Sequence, residues 1–506
     1  MKIKNVFLLS LLIIVLFPNQ CFPQMINTML TSSERVINSS THFSPIKSIG
    51  VRQGTEVVSL ATAKSNVIDR PYFVVPGNSA QFSDFTTVQD SFFLLSKEDT
   101  NIIRCKYLHN VTITDFDYDT IEDMIYFCGV MNSLNSQGYY QNIVGKISIG
   151  ALFSSINNIS VDIFTITLNT SAYLKKIDFY RTPSTQTKKL SLIANDIDSY
   201  NNTLTTNNYM LGFFPSYYIS FNVDSITYWT FPTCNIRFTD VIHTQDYVVV
   251  CGMKDLQTLV LYSHLQENQN FYICRLYETP ILYHYYKDPQ YEIAPLIPQE
   301  NNFIIGASLK DEERMEFTKF KIDGNIISPQ HTHFIIDDGD RESRSRITDM
   351  AFNPRDMALY VVACNGSSML NVKDMIFTVP YDSSICRSSV IVPSFTQEGF
   401  NLIKSITFYN NFNDYLVFGA RANTQVIFTQ DSIGNVGDLF FFDRIIDTSR
   451  YETCGEQYHL DLVPIDDYYT ENDFQYMYCN INYNTATWLQ LPICNYNMMY
   501  SIPCIH

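Results

Sequence analysis

A short phrase recurs along this chain and constrains its fold more than any other feature. It reads FTDVIHTQDYVVVCG from Phe238, ITDFDYDTIEDMIYFCG from Ile113 and ITDMAFNPRDMALYVVAC from Ile347, with FSDFTTVQDSFFLL from Phe82 as a further copy. Each copy joins a short apolar stretch, a polar turn and a continuous apolar run. Repetition of this kind indicates a fold that is assembled from copies of one supersecondary unit.

Within each copy, the pattern predicts two antiparallel strands joined by a tight turn. Asp and Asn side chains bind backbone groups nearby and therefore favour turns. The apolar run after the turn does not alternate with polar residues, which indicates a strand that is buried on both faces. The leading acids are Asp84, Asp115, Asp240 and Asp349, and the turn acids are Asp90, Asp123, Asp246 and Asp356.

Weaker copies of the phrase begin at Leu174, Ile293, Ile403 and Leu462. Milder apolar stretches follow each copy, so a unit holds about four strands, as the blades of a β-propeller do. We therefore predict an all-β protein, a β-propeller with seven blades of four antiparallel strands. Six and eight blades are the alternatives, because the closely spaced copies at Phe82 and Ile113 count as one blade or as two. Separate β-sandwiches are the competing fold, but a single phrase at a near-fixed period disfavours them.

The N-terminus has the features of an export signal. Lys2 and Lys4 precede VFLLSLLIIVLF, residues 6–17, an apolar segment that is too short to span a bilayer. It predicts a secreted, extracellular or outer-surface location. A lipid anchor at Cys21 is disfavoured, because the residues before it lack the small side chains of a lipidation motif.

The chain divides into four predicted segments. Residues 1–24 form the signal peptide, and residues 25–80 form an N-terminal extension or the first strands. Residues 81–480 form the β-propeller. Residues 481–506 form a Cys-containing C-terminal tail, for which closure of the ring is one role. No later segment is long and apolar enough to span a membrane.

Charge argues against a nucleic-acid partner. The chain has 34 Lys and Arg against 51 Asp and Glu, for a formal net charge of −17. Phosphate binding depends on clusters of basic side chains, and no extended basic cluster occurs. The acidity is explained by solubility.

The twelve cysteines predict disulfides, because disulfides persist in exported proteins. Buried free thiols are an alternative, and a zinc site is disfavoured because no C-x-x-C motif occurs. Sequence leaves the connectivity open, and Cys234 remains without a partner. The candidate pairs are Cys105 with Cys128, Cys251 with Cys274, Cys364 with Cys386, Cys454 with Cys479, and Cys494 with Cys504.

The phrase ITD…YFCG, followed by the Gly-containing stretch NIVGKISIG at residues 142–150, resembles uncharacterised secreted β-propeller proteins of Gram-negative bacteria. The resemblance covers roughly residues 80–480. It implies the propeller fold and implies no activity, no cofactor and no catalytic residues.

Three polar clusters were weighed as sites. The first is HTHFIIDDGD, residues 331–340, whose His331 and His333 would share one face of a strand as metal ligands can. The second is FDYDTIED, residues 116–123, and the third is YHYYKD, residues 283–288. Turns and strand packing explain all three, so no catalytic residue, metal or cofactor is predicted.

The sequence favours a binding or scaffold module for a protein or glycan partner, because loops on a rigid scaffold commonly carry function. The alternative is an extracellular polysaccharide hydrolase or lyase whose carboxylates converge at the mouth of the central channel. A structural surface component is the third hypothesis. Acids from different blades that meet at one place would favour the enzyme.

Overall fold

The structure of the protein is a computed structural model, and the residues that it describes are all-β apart from one short helix. It describes residues 31–38, 43–52, 55–63, 90–97, 102–134, 140–156, 159–166, 168, 172–181, 188–196, 216–222, 225–231, 236–254, 257–265, 271–277, 301–309, 314–324, 326–336, 344–355, 357–366, 372–380, 390–391, 400–409, 414–422, 439–446, 469–470, 477–482 and 489–495.

The strands are numbered in chain order. The first fifteen are β1 (Thr31–Asn38), β2 (Phe43–Val51), β3 (Glu56–Ala63), β4 (Ser91–Lys97), β5 (Ile102–Leu108), β6 (Val111–Asp119), β7 (Met124–Leu134), β8 (Tyr140–Ser148), β9 (Ile159–Ile166), β10 (Ala172–Arg181), β11 (Lys188–Asp196), β12 (Ser216–Asn222), β13 (Ser225–Phe231), β14 (Ile236–His243) and β15 (Tyr247–Lys254).

Fifteen more strands follow in the described part of the chain. They are β16 (Gln257–His264), β17 (Tyr272–Tyr277), β18 (Asn302–Leu309), β19 (Arg314–Asp323), β20 (Ile326–Ile336), β21 (Arg344–Asn353), β22 (Ala358–Gly366), β23 (Val372–Pro380), β24 (Val390–Ile391), β25 (Phe400–Tyr409), β26 (Asp414–Ala422), β27 (Leu439–Ile446), β28 (Tyr469–Thr470), β29 (Met477–Asn482) and β30 (Leu489–Asn495). Helix α1 (Ile149–Phe153) lies between β8 and β9, and the Ser148 hydroxyl caps it by accepting from Ala151 N.

Consecutive strands pair antiparallel into small sheets, as the repeated phrase predicts. Five runs of four strands form such meanders: β2–β5, β6–β9, β10–β13, β14–β17 and β21–β24. A sixth run is formed by β18–β20. A seventh is formed by β25–β27, with β1 added at its outer edge. Each sheet is therefore local in sequence except where a terminal segment joins it.

The first strands β2, β6, β10 and β14 contact one another in succession, and β21 contacts β25, which contacts β2. We call these six strands the inner strands. Each inner strand has one register shift against its neighbour. Such a β-bulge re-aims the side chain beside it. We call the residue that follows each shift the bulge position; its occupants are Lys47, Asp115, Lys176, Asp240, Asp349 and Ser405.

The hydrophobic core lies between successive sheets. One cluster packs Val144 of β8 against Leu174 and Leu192 of the next sheet, and another packs Val249 of β15 against Phe303 of β18. Strands such as β15 thus have apolar neighbours on both faces, as the uninterrupted apolar runs predict. The prediction of an all-β protein is confirmed.

Two of the predicted copies are placed differently. The apolar run of the Phe82 copy, residues 91–97, is β4, the third strand of its sheet, and Asp84 lies outside the described residues. The inner strand of this sheet is β2, which has Lys47 at its bulge position. It lies in residues 25–80, where the sequence predicts an extension or the first strands but no copy of the phrase. The first two copies are closely spaced because their apolar runs are not equivalent strands.

The copy predicted at Leu462 does not form an inner hairpin. Its strands β28 and β29 pair with the outer edges of β17 and β13. The last strand, β30, pairs with β9 and β5 and so joins the outer edges of the first two meanders. The start of the Ile293 copy lies outside the described residues.

The disulfide prediction is corrected for two pairs. Cys105, Cys128 and Cys251 are buried free thiols. Three strands separate the strands of Cys105 and Cys128 in their sheet, which places them roughly 19 Å apart at about 4.8 Å per strand, well beyond disulfide reach. Cys251 and Cys274 both lie opposite Val260, on either side of β16, so that pair is too far apart as well.

The other candidate cysteines are only partly placed. Cys364, Cys479 and Cys494 lie in β22, β29 and β30, whereas their proposed partners Cys386, Cys454 and Cys504 lie outside the described residues.

Candidate functional site at the inner strands

Charged side chains from five inner strands come together on the inner side of the sheets. We call them the inner-strand cluster: Lys47, Asp115, Asp117, Lys176, Asp178, Asp240, His243 and Asp349. Asp240, for example, interacts electrostatically with Lys176 and Asp115 of two preceding sheets. Acids from different units therefore do meet, which is the arrangement that the enzyme hypothesis requires.

The leading Asp of the phrase binds the backbone of the next sheet. Asp115 Oδ2 accepts from Ile177 N at 3.1 Å, and Asp117 Oδ2 accepts from Phe179 N at 2.7 Å. An inner strand is the edge of its sheet, so the N–H groups on its open side have no partner strand. Buried backbone donors must be satisfied, and these carboxylates satisfy two of them.

The same two contacts recur between other sheets. Asp349 Oδ2 accepts from Ile406 N at 2.9 Å, one residue past the next bulge position. Asp178 Oδ2 accepts from His243 N at 2.8 Å, three residues past it. The contacts step forward along both strands together, and therefore neighbouring inner strands run in the same direction.

The last meander binds the first in the same way, with hydroxyls in place of carboxylates. Ser405 Oγ accepts from Ser48 N at 3.0 Å, and Thr407 Oγ1 accepts from Gly50 N at 3.0 Å. These two contacts have the same register as those of Asp115 and Asp117. Strands from the two ends of the described chain are thus joined as neighbouring sheets are.

The second oxygen is also hydrogen-bonded in two of these acids. Asp117 Oδ1 accepts from Tyr118 N at 2.8 Å, and Asp349 Oδ1 accepts from Met350 N at 2.9 Å. Both oxygens of Asp117 and of Asp349 therefore hold backbone donors, which fix these carboxylates in place. Asp115 differs, because its buried Oδ1 has no hydrogen-bond donor and lies in an ion pair with Lys47.

Lys47 makes the complementary contact. Its Nζ donates to the carbonyl of Phe116 at 2.8 Å and forms an ion pair with Asp115 Oδ1 at 3.0 Å. Although burial lowers the pKa of Lys47, the charges of Asp115 and Asp117 raise it above its ordinary value overall. The lysine therefore stays charged and partly neutralises the acids of the second meander.

Polar side chains on strands outside the inner strands accept further backbone hydrogen bonds from the next sheet. Ile113, Leu174 and Phe238 each lie two residues before a bulge position, and each donates its N–H to the preceding sheet. The acceptors are Ser91 Oγ at 2.8 Å, Asn142 Oδ1 at 2.8 Å and Asn195 Oδ1 at 2.9 Å. In β10, three N–H groups on the open edge are thus bound by the sheet before it.

Burial and mutual repulsion shift the acids of the cluster. Burial raises the pKa of Asp117 to about 7, and the charge of Asp178 adds to the shift. Burial likewise raises the pKa of Asp178 to about 8, with a further contribution from Asp240. The pKa values of Asp240 and Asp349 are raised mainly by burial too. These four acids therefore bind protons more strongly in the folded protein than they would in the unfolded chain.

A hydrogen-bonded relay links the cluster to the core. His243 Nδ1 is hydrogen-bonded to Asp178 Oδ2 at 2.6 Å, and His243 Nε2 is hydrogen-bonded to Ser191 Oγ at 2.8 Å. The Ser191 hydroxyl also bonds Tyr218 at 2.9 Å. Burial lowers the pKa of His243 to about 3, so its ring is neutral at pH 7.

This relay has the connectivity of a Ser-His-Asp triad but not its accessibility. Ser191 is 1% exposed and His243 is 4% exposed, and the ring of Tyr180 stacks on His243 at 5.0 Å. A nucleophile must reach its substrate, and the buried Ser191 does not. The relay instead ties β10, β11 and β14 together.

The hairpin turns that follow the inner strands lie at one end of the sheets, because the inner strands run in one direction. Arg52 in the β2–β3 turn pairs with Asp123 in the β6–β7 turn at 2.8 Å. Arg181 at the end of β10 pairs with Asp119 of the second meander. Turns of neighbouring sheets are therefore fixed to each other at this end.

Sequence reasoning found part of this site. It selected Asp115, Asp240 and Asp349 as the leading acids of the phrase, and the structure brings them together, but it gave them no contact with another unit. It missed Lys47, Lys176 and Ser405, which occupy the same bulge position without an acid, and it missed Asp178 and His243. The spacing between equivalent positions of successive units is the signal from which these residues could have been predicted.

The three clusters weighed from the sequence have separate outcomes. FDYDTIED contains the end of β6 and the turn at residues 120–123. His331 and His333 lie in β20, whereas Asp337, Asp338, Asp340 and residues 283–288 are outside the described part of the chain. Among the residues that the structure describes, no group of His, Cys, Asp and Glu is arranged to hold a metal ion. No helix in the described ranges is long and apolar enough to cross a membrane.

Similar solved structures are propellers, although the likeness is distant. The Dos1 propeller has 9% identity and a TM-score of 0.43, over 81% of this chain and 95% of that one. The periplasmic gluconolactonase of Pseudomonas aeruginosa has 9% identity and a TM-score of 0.39, over 71% and 96%. The β-propeller domain of the Trilobed protease from Pyrococcus furiosus has 9% identity and a TM-score of 0.39, over 84% and 100%.

No family model matches this sequence, and no curated protein matches it either. The likeness to solved structures says nothing about activity. The chain's own sheets carry the architecture: antiparallel meanders follow one another, with their cores between sheets and their first strands in mutual contact. The fold is a β-propeller. The resemblance to secreted bacterial proteins remains a prediction.

Proposed function

We propose that the chain is an exported, seven-bladed β-propeller that acts as a binding or scaffold module for a protein or glycan partner. The observation that carries the proposal is the use of the clustered carboxylates. Asp115, Asp117, Asp178 and Asp349 each accept a backbone N–H from the next inner strand. The centre of the molecule is thus built to hold the sheets in place.

Seven blades are supported by seven runs of consecutive antiparallel strands among the described residues, the first two of which β30 joins into one sheet. Six of them contain a bulge position, and the seventh, β18–β20, follows the fourth meander through Asn301, whose Oδ1 accepts from Asp246 N at 3.0 Å. The contacts of Ser405 and Thr407 with β2 support closure. β1 supplies the outer strand of the last blade, an arrangement that would reinforce the ring.

The enzyme alternative is supported by the convergence of acids and opposed by their bonding. General acid–base catalysis needs a carboxyl oxygen that exchanges a proton with the substrate. Both oxygens of Asp117 and Asp349 bind backbone N–H groups. These two acids already accept structural hydrogen bonds at both oxygens, and so the binding role is favoured.

The hairpin turns at the common end of the inner strands are the surface that we assign to the partner. Two equivalent turns, β6–β7 and β21–β22, each carry a large apolar side chain, since Ile121 is 65% exposed and Met357 is 38% exposed. We assign the contact to these side chains because loops on a rigid scaffold commonly carry function. The ion pair of Arg52 with Asp123 fixes the first of these turns.

The test uses the full mature chain as a labelled probe on a glycan array and on intact cells of the producing organism. We expect saturable binding that Ile121→Ser with Met357→Ser weakens at least tenfold. Leu489→Ser is the matched control, because Leu489 is also exposed but lies on the outer strand β30. We also expect the producing organism to secrete the protein with residues 1–24 removed.

Two results would contradict the proposal. Equal binding by the turn variant and by wild type would remove the assigned surface. Cleavage of an arrayed polysaccharide that Asp349→Asn abolishes, while the variant stays folded, would favour the hydrolase or lyase instead.

A further inference from the structure

The last described segment of the chain lies along the outer edges of earlier sheets. We define the C-terminal belt as strands β28, β29 and β30. β28 pairs with β17, β29 pairs with β13, and β30 pairs with β9 and β5. The belt therefore passes from the fourth meander to the third and then to the second and first, in the reverse of chain order.

The belt is held mainly through its backbone. β29 forms a continuous antiparallel register with β13 from Ser225↔Asn482 to Thr230↔Met477. Strand addition at a sheet edge depends on main-chain hydrogen bonds, which almost any extended segment can supply. The covered edges are therefore docking sites for an extended segment, and the belt is their occupant in this chain.

One side chain adds specificity to this docking. Ile493 of β30 is fully buried in the core of the first two sheets, beside Leu108 and Ile149, whereas Leu489 of the same strand is half-exposed. An apolar anchor that enters a pocket beside a paired edge selects among extended segments. The segment that fits this pocket best is the belt itself, whichever copy of the chain supplies it.

The chain length before the belt allows it to reach another copy. Twenty-two residues separate Ile446 of β27 from Tyr469 of β28, and they can span roughly 70 Å at about 3.3 Å per residue. A folded chain of this length has a radius of gyration of only about 23 Å. All the inner strands precede the belt in the chain, so it can leave its edges without unfolding one of them.

We propose that the C-terminal belt exchanges between two copies of this chain, so that each copy's outer edges can hold the belt of the other. Exchange of an identical element is a common route to dimers, since every bond of the closed monomer is re-formed. The docking surface is the set of outer edges of β17, β13, β9 and β5, and its occupant is the belt of the second copy.

Thr227 allows a matched test. It lies opposite Asn480 of the belt on one side and opposite Ser220 of β12 on the other. Opposed residues of antiparallel strands are near enough for a disulfide. Full-length Thr227→Cys chain is mixed with full-length Asn480→Cys chain, incubated at high concentration and oxidised with oxidised glutathione. The control mixes the same Thr227→Cys chain with Ser220→Cys chain, which cannot exchange its strand without losing a blade.

We expect a disulfide-linked dimer in the belt mixture, at least fivefold above the control mixture and rising with protein concentration, with the Thr227–Asn480 peptide identified by mass spectrometry. A double Thr227→Cys, Asn480→Cys variant should close within one chain at low concentration. The proposal is overturned if the double variant closes while the mixture matches the control, because the belt then stays on its own chain. It is also overturned if the double variant does not close, because β29 then does not dock on β13.

Discussion

The backbone N–H of Ser48 donates to the Oγ of Ser405 at 3.0 Å, although the two residues are 357 positions apart in the chain. This bond joins the inner strand of the first meander to that of the last. It has the register of the Asp115–Ile177 contact between neighbouring sheets. The first and last units therefore meet as sequential neighbours do, which is the contact that the proposed closed ring requires.

Removal of these acceptors should destabilise the protein. Ser405→Ala with Thr407→Val leaves the N–H groups of Ser48 and Gly50 without partners, at a cost of about 1–3 kcal/mol each. Urea unfolding would measure the change in the free energy of unfolding. Thr55→Ala is the control, because the exposed Thr55 hydroxyl only donates to Arg52 O in a surface turn, and we expect a change within about 0.5 kcal/mol. Equal effects of the two variants would refute the role of the acceptors.

Gly50→Ala tests the same contact by steric means. A Cβ at Gly50 would lie 2.3 Å from the carbonyl oxygen of Phe408 in the last meander, so the first and last inner strands would have to move apart. We expect a loss of several °C in Tm, which thermal unfolding followed by circular dichroism would report. Gly150→Ala in α1 is the control, because its Cβ would meet only Arg52 Nη2, at 3.7 Å. A Gly50→Ala protein as stable as Gly150→Ala would show that these strands do not meet.

Much of the architecture is predictable from the sequence, because a strand pressed between two sheets must be apolar on both faces. Strands β7, β15 and β22 carry that pattern together with a turn acid, and they were found. β2 and β3 were not identified as a copy of the phrase, although first strands were one of the two roles predicted for residues 25–80. Lys47 occupies the bulge position of β2. The contact with the next sheet requires only that the side chain at this position reaches a backbone group. Lys47 meets this requirement by donating to the Phe116 carbonyl.

The candidate site was harder to predict, because its contacts depend on three-dimensional neighbours. The leading acids were interpreted only as part of a local hairpin phrase, whereas Asp115 and Asp349 bind residues 62 and 57 positions away. The spacing of the cysteines led to a wrong disulfide prediction for a related reason. Cys128 and Cys251 occupy equivalent core positions opposite Asp115 and Asp240, where a small apolar side chain packs, and their regular spacing reflects the repeat.

Stability should fall as the pH rises from about 6.5 to 8.5. The pKa values of Asp117 and Asp178 are raised in the folded state, to about 7 and about 8. The folded chain thus holds protons that the unfolded chain has already lost, and this stabilisation disappears as the pH passes the folded values. His243, whose pKa is lowered to about 3, changes stability in the opposite sense, but only up to its unfolded pKa of about 6.5.

Urea unfolding at several pH values would measure this slope, and we expect a decrease on the order of 1 kcal/mol over the range. Asp117→Asn should make the slope shallower, whatever its effect on absolute stability. Glu122→Gln is a control for a surface acid, because the Lys188 and Arg181 contacts lower the Glu122 pKa and it does not titrate in this range. A slope that is flat or rises in wild type contradicts the prediction.

The thiols of Cys105, Cys128 and Cys251 should be unreactive in the folded protein. Burial raises the pKa of each thiol above its ordinary value, and the thiolate is the reactive form. We expect iodoacetamide to label them only after denaturation without reductant, and mass spectrometry would locate the labels. Recovery of Cys105 linked to Cys128 from the native protein would restore the disulfide hypothesis.

Hydrogen exchange at the inner strands tests the closed ring most directly. The account predicts that the amides of Ser48 and Gly50, on an open sheet edge, are as strongly protected as amides paired within β3, and that Ser405→Ala with Thr407→Val removes the protection of these two amides first. Residue-resolved exchange followed by mass spectrometry would measure both. Rapid exchange of Ser48 and Gly50 in the wild-type protein, at the rate of an unpaired edge, would contradict the account.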